Sequence, residues 1–129
     1  MQTTKKDFDK FKVEFLKWSD KFGLDDIHFN FVHTDEKEAY AHVMGNVNQK
    51  AYIVFFSKTF LVMKSTPKGF INYLAYHEAC ECLLYNIRVI ASDREFDENI
   101  LDAEIHSIIN RLEKLLGVEN NFNVEVEED

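Results

Sequence analysis

The stretch YHEACECLL, residues 76–84, places His77 beside Glu78 and sets a second carboxylate, Glu81, four positions after the histidine. In an α-helix, residues four apart share a face. An imidazole nitrogen of His77 and a carboxylate oxygen of Glu81 therefore approach one metal ion from the same side. Glu78 lies about 100° around the helix from His77. It does not comfortably reach that ion, but it reaches a water molecule held there. This is the logic of a His-Glu-x-x-His helix with the second histidine replaced by glutamate. The plain alternative is a solvated helix face on which Glu81 pairs with Arg88 or Tyr85.

Two donors do not complete a catalytic zinc site, which takes three and leaves a further position open. The segment DAEIHSII offers Asp102, Glu104 and His106. If two helices fold back on one another near Ala91, His77 lies 14 residues before the turn and His106 lies 15 after it. At about 1.5 Å of rise per residue each sits roughly 21 Å from the turn, so the two are level. His106 is the first choice for the third ligand. Asp102, nearer the level of Glu81, and Glu104 either orient a ligand or take the place of His106. Two histidines and a carboxylate suit zinc, and also other divalent ions, ferrous iron included. Cys80 reads as small core filling. Cys80 and Cys82 are two apart on a helix and point to different sides, so they are expected as reduced thiols of a cytoplasmic protein. His28, His33 and His42 fall on or beside strands and are assigned no role.

The elements that must position these groups are legible from periodicity. Phe8, Phe11, Phe15, Trp18 and Phe22 recur every three or four residues, which predicts a helix ended by Gly23. DIHFNFVHT alternates, with Ile27, Phe29 and Phe31 on one side and His28 and Asn30 on the other, as in a half-buried strand. AYAHVM and AYIVFFS are two further strands flanking GNVNQK, a loop of hairpin length. Together they predict a small, mainly antiparallel three-stranded sheet. Thr66 as N-cap and Pro67 at the first helical position predict a helix from Pro67 to about Val89. Ser92 and Glu95 have capping-box spacing, so the last helix starts near Ser92 or, after a loop, near Asp97. Leu101, Ile105, Ile108, Leu112 and Leu115 predict its core stripe, ending before Gly117. The segment 118–129 is a short strand or an acidic tail. Helix, three strands, helix, helix makes one α+β domain over residues 1–129.

The chain has 129 residues and a formal net charge of −8. Its length suffices for a hydrophobic core without disulfides or a structural metal. Duplex nucleic acid is bound largely by Lys and Arg on phosphates, so direct nucleic-acid binding is not expected. An acidic chain can instead imitate DNA and occupy a DNA-binding partner. The start, MQTTKKDFDK, has no apolar stretch of signal-peptide type. The longest apolar run, around AYIVFF, is far too short to cross a bilayer, so no membrane role is expected.

From His77 to Leu116, about a third of the chain, the sequence resembles the C-terminal half of a family of small metallopeptidase-type proteins common in tailed bacteriophages. The blocks that carry the resemblance are HEACECLL and AEIHSIINRLEKLL. In the family the first block is His-Glu, two variable residues, His or Glu, then leucines. The second is an acidic residue shortly before a histidine, then paired aliphatics and Arg-Leu-Glu. The resemblance implies a zincin-like fold, His77 and Glu81 as zinc ligands, Glu78 as general base and His106 as third ligand. It also implies a peptide or protein substrate, met in the host cytoplasm. Glu81 stands where the familiar peptidase motif has histidine. A carboxylate there removes charge from the metal and makes it a weaker Lewis acid.

Three functions are thus expected as rivals. One is a zinc-dependent hydrolase in which Glu78 activates water. Another is a metal-binding interaction module without catalysis. The last is a metal-free acidic inhibitor that binds a basic surface on a protein partner, for example a host DNA-binding protein.

Overall fold

A computed structural model describes residues 1–36, 38–46, 49–92 and 98–127, with the backbone alone described at 86, 90–92, 104, 111 and 115. The first helix, α1 (Lys5–Lys21), is capped by Thr4: its hydroxyl accepts from the Asp7 N–H, while the Asp7 carboxylate accepts from the Thr4 N–H. Gly23, at φ 72°, turns the chain out of the helix. Phe11 and Phe15 are fully buried, and Phe8, Trp18 and Phe22 pack beside them, as the spacing predicts.

Strands β1 (His28–Thr34), β2 (Ala41–Asn46) and β3 (Ala51–Ser57) form one sheet in the order β1-β3-β2. The β2–β3 hairpin is antiparallel, with Asn46 opposite Ala51. The β1–β3 pair is parallel, with His28 opposite Ala51 and Thr34 opposite Ser57. The sheet is therefore mixed, not mainly antiparallel. β1 joins the edge of β3 left free by the hairpin and runs alongside it. Phe29, Phe31, Val54 and Phe56 point to one face, where Phe11 and Phe15 of α1 meet them edge-on. The opposite face carries Val32, Met44 and Ile53, all exposed.

The second helix, α2 (Phe70–Ser92), starts three residues later than the Thr66-Pro67 pair predicts and ends three later than Val89. The cause at its start is Gly69, whose φ of 82° is not helical; Pro67 instead opens a turn in which its carbonyl accepts from the Phe70 N–H. Ser92 closes α2 and so caps no later helix; Glu95 and Asp97 lie outside the described residues. The last helix, α3 (Glu98–Leu116), matches the later of the two starts.

The core stripe of α3 also needs correction. Ile105 and Ile109 are buried, whereas Ile108 is 38% exposed; the side chain of Leu115 lies outside the described residues. Ile105 and Ile109 pack with Tyr76, Cys80 and Leu84 of α2, while Leu101 and Leu112 flank them. Both cysteines are buried and free, and Cys80 fills core as expected.

Residues 118–127 form no strand, but they are held. The Lys64 N–H donates to the Glu125 carbonyl at 2.8 Å, and Phe122 meets Phe70 and Tyr73 at 5.6 and 5.3 Å between ring centroids. No helix among the described residues is long and apolar enough to cross a membrane.

Candidate metal centre

The buried stripes of α2 fix where its polar groups point. Ala75, Ala79 and Cys82 belong to the core against the sheet and α1, and Tyr76, Cys80 and Leu84 to the core against α3. His77 and Glu81 share a half-buried face beside these stripes, one helical turn apart. His77 Nε2 lies 3.6 Å from Glu81 Oε1. From α3, His106 Nε2 lies 3.8 Å from the same oxygen. The two imidazole centroids are 5.6 Å apart, so the antiparallel arithmetic that set them level holds.

One donor atom from each of His77, Glu81 and His106 lies within 4.8 Å of the others, and this group could hold a metal ion. Tetrahedral bonds of about 2.0–2.1 Å place donor atoms roughly 3.3–3.4 Å apart. The two contacts to Glu81 thus need to shorten by only a few tenths of an ångström. The third contact, between rings on different helices, needs a small rotation of one of them.

The tautomer of His106 suits this task. Its Nδ1 is 2.8 Å from the Asp102 carbonyl oxygen, which can only accept, so Nδ1 carries the hydrogen. In the neutral ring, Nε2 then presents its lone pair to the centre. A histidine fixed through its other ring nitrogen is the usual support of a metal ligand. Asp102 thus orients His106 from outside, and its carboxylate lies 3.4 Å from the same Nδ1. The Glu104 side chain lies outside the described residues.

Glu81 divides its two oxygens. Oε1 faces the imidazoles, while Oε2 accepts from Arg88 Nη2 at 3.0 Å. The same nitrogen is 3.0 Å from Asp102 Oδ1, so Arg88 ties α2 to α3 beside the centre. Burial pushes the Glu81 carboxyl up, but the close approach of the His77 imidazole and the charges of Arg88, His77 and His106 outweigh it and hold the group below its usual range. Burial also works against a charged His77. The nearby Glu81 carboxylate and the fields of Glu78 and Glu113 outweigh it and hold that imidazole above its usual range. The pairing of Glu81 with Arg88 expected of an ordinary helix is therefore present, and it coexists with the ligand geometry.

Glu78 is 5% exposed, and no hydrogen-bond partner for its carboxylate is found among the described residues. Burial pushes its carboxyl up to about 7, with Glu81 adding to the rise and His77 and Arg88 opposing it. Such a carboxyl is matched to proton transfer near neutrality. His77 and Glu78 line two adjoining clefts. The larger, about 540 Å³, is bounded by Tyr40, Leu61, Val62, Phe70 and Leu74. The smaller, about 260 Å³, leads past β2 to Glu81, Arg88 and Asp102.

The other histidines do not join the centre. His28 contacts Asn30, His33 contacts Thr3, and His42 stacks on Phe55 with Glu36 at 3.4 Å. Sequence reasoning missed Glu113, a carboxylate 2% exposed that accepts from Tyr73 Oη at 2.8 Å and from Asn120 Nδ2. Its signal was the spacing Ile105, Ile109, Glu113, hidden by assigning Ile108 to the core. No family model matches the chain, and neither a curated protein nor a solved structure does.

Proposed function

We propose that this protein is a zinc-dependent hydrolase of the zincin-like, phage metallopeptidase type, acting on peptide bonds. The single observation that supports it is the placement of Glu78. A buried carboxylate with no hydrogen-bond partner among the described residues sits next to a group of three side chains that could hold a metal ion, on the wall common to two clefts. Zinc, when bound, supplies a Lewis acid and lowers the pKa of a coordinated water toward about 7.

The remaining work falls to this chain's own residues. His77, Glu81 and His106 hold the ion. Arg88 offsets the charge on the outer oxygen of Glu81, which limits how much that carboxylate weakens the metal as an acid. Glu78 takes a proton from the attacking water and returns it to the leaving amine. Arg88 and Asp102 wall the smaller cleft, where the far side of a substrate would lie.

Protein purified without chelator or histidine tag should carry about one zinc per chain, as a three-donor site with an open position binds a single ion. Glu78→Gln should keep the metal and lower turnover by roughly 100- to 10,000-fold, the usual worth of a general base. His77→Ala should lose the metal. Undiminished turnover in Glu78→Gln would remove the mechanism.

A second reading has its own support. The donors come from both α2 and α3, so a bound ion would clamp the two helices as a non-catalytic module. In that case Glu78→Gln changes no function and His77→Ala lowers thermal stability.

A further inference from the structure

The larger cleft runs beside the first two turns of α2. Phe70 and His77 both line it and are seven residues apart, about 10 Å along a helix. That length accommodates one long extended side chain. Leu61 and Val62 stand on its wall roughly half exposed, at 51% and 56%. Its described lining holds three carboxylates, Glu36, Glu38 and Glu78, and no lysine or arginine.

We infer that this cleft selects peptides with a lysine or arginine side chain next to the bond to be cut. The inference rests on the hydrolytic reading of the same site and names its substrate class. The methylene stem lies along Tyr40, Leu61 and Leu74, and the cationic head sits between Glu36 and Glu38. Long basic side chains bury their stems and keep their heads at a polar rim. A purely apolar side chain would fill the same walls but partly desolvate Glu36 and Glu38 while giving them no cation in return; the one described side chain paired with either is the His42 imidazole, 3.4 Å from Glu36. An acidic side chain would meet like charge, which excludes it. The net charge of −8 steers basic peptides to the chain before they dock.

The test uses zinc-loaded Glu78→Gln protein and two labelled peptides that differ only in lysine or norleucine, its neutral counterpart, read by fluorescence anisotropy. At low salt the lysine peptide should bind roughly five- to tenfold more tightly, with the margin shrinking as salt is added. Adding Glu36→Gln and Glu38→Gln should abolish the preference. Glu36 is tied to Ser57 through its backbone N–H and carbonyl, so glutamine keeps that anchorage. Equal binding of both peptides, no binding of either, or a preference that survives the two substitutions would overturn the inference. Turnover of the same peptides by the unaltered protein is measured in parallel. Cleavage of both at equal rate sinks the selectivity and leaves the hydrolase standing. A lysine preference in binding without any cleavage upholds the selectivity of the cleft and removes hydrolysis.

Discussion

Replacing Ile109 with alanine tests the contact that delivers His106. Ile109 is 1% exposed and packs against Tyr76, Cys80 and Leu84 of α2. The change removes three carbons, worth about 2.4 kcal/mol at roughly 0.8 kcal/mol per buried methylene. The residual cavity raises the expected loss to about 3–4 kcal/mol. A chain of 129 residues has an unfolding entropy of about 0.27 kcal/mol/K, so the melting temperature should fall by about 11–15 °C. Ile108, 38% exposed, is the control. Its alanine variant should stay within about 0.5 kcal/mol, or 2 °C, of the parent. Thermal and urea unfolding of both variants, with zinc titration of the folded proteins, decides the matter. Ile109→Ala should also weaken metal binding, because α3 carries one of the three donors. A larger loss for Ile108→Ala than for Ile109→Ala would refute the reasoning. It would mean that α3 is turned by about 100° about its axis, which carries His106 away from Glu81.

His33 should make folding acid-sensitive. Thr3 Oγ1 donates to the Ser57 carbonyl, so His33 Nε2 must donate to Thr3 Oγ1, at 2.7 Å. Burial, then the Lys58 charge, hold its pKa below the unfolded value of 6.5. The unfolded chain therefore binds the proton first: this stability is present above pH 6.5 and is lost as pH falls through the folded pKa. Urea unfolding between pH 7.5 and 5 should show a shallower loss in His33→Gln than in the parent. Gly45→Ala would place its Cβ 2.7 Å from Tyr85 Cε1 and 2.8 Å from Cδ1. It should cost about 1–3 kcal/mol by overpacking, and less than that in a Tyr85→Ala background. Burial pushes the Cys80 thiol up to about 12 and Cys82 higher still, so native protein should resist a thiol-titrating reagent that labels both cysteines in denaturant.

Local periodicity carried most of the secondary structure. The phenylalanine stripe of α1, the alternation in β1 and the hairpin loop after Gly45 are each decided within a few residues, where sequence is informative. The parallel pairing of β1 with β3 was not legible, because it depends on which edge of the hairpin remains free. The start of α2 was not legible from Thr66 and Pro67, because the positive φ of Gly69 breaks the helical path after them. On α3, both Ile108 and Ile109 fit a helical stripe; only packing against Tyr76 and Leu84 chooses between them.

The grouping of His77, Glu81 and His106 was legible because i,i+4 spacing and equal distances from a turn are geometric facts. The seclusion of Glu78 and the bridge from Arg88 to Asp102 were not, since both depend on how closely β2 and α3 approach α2.

The central position of β3 has a kinetic consequence. Asn46 and Ala51 are five positions apart, whereas His28 and Ala51 are 23 apart. Closing the longer loop costs roughly 1.4 kcal/mol more by chain entropy. The hairpin therefore forms early and offers β3 as a template, and β1 zips onto its outer edge afterwards, as the helices settle over the shared face. Hairpin contacts should then be largely formed at the folding barrier, while those of β1 consolidate on the native side of it.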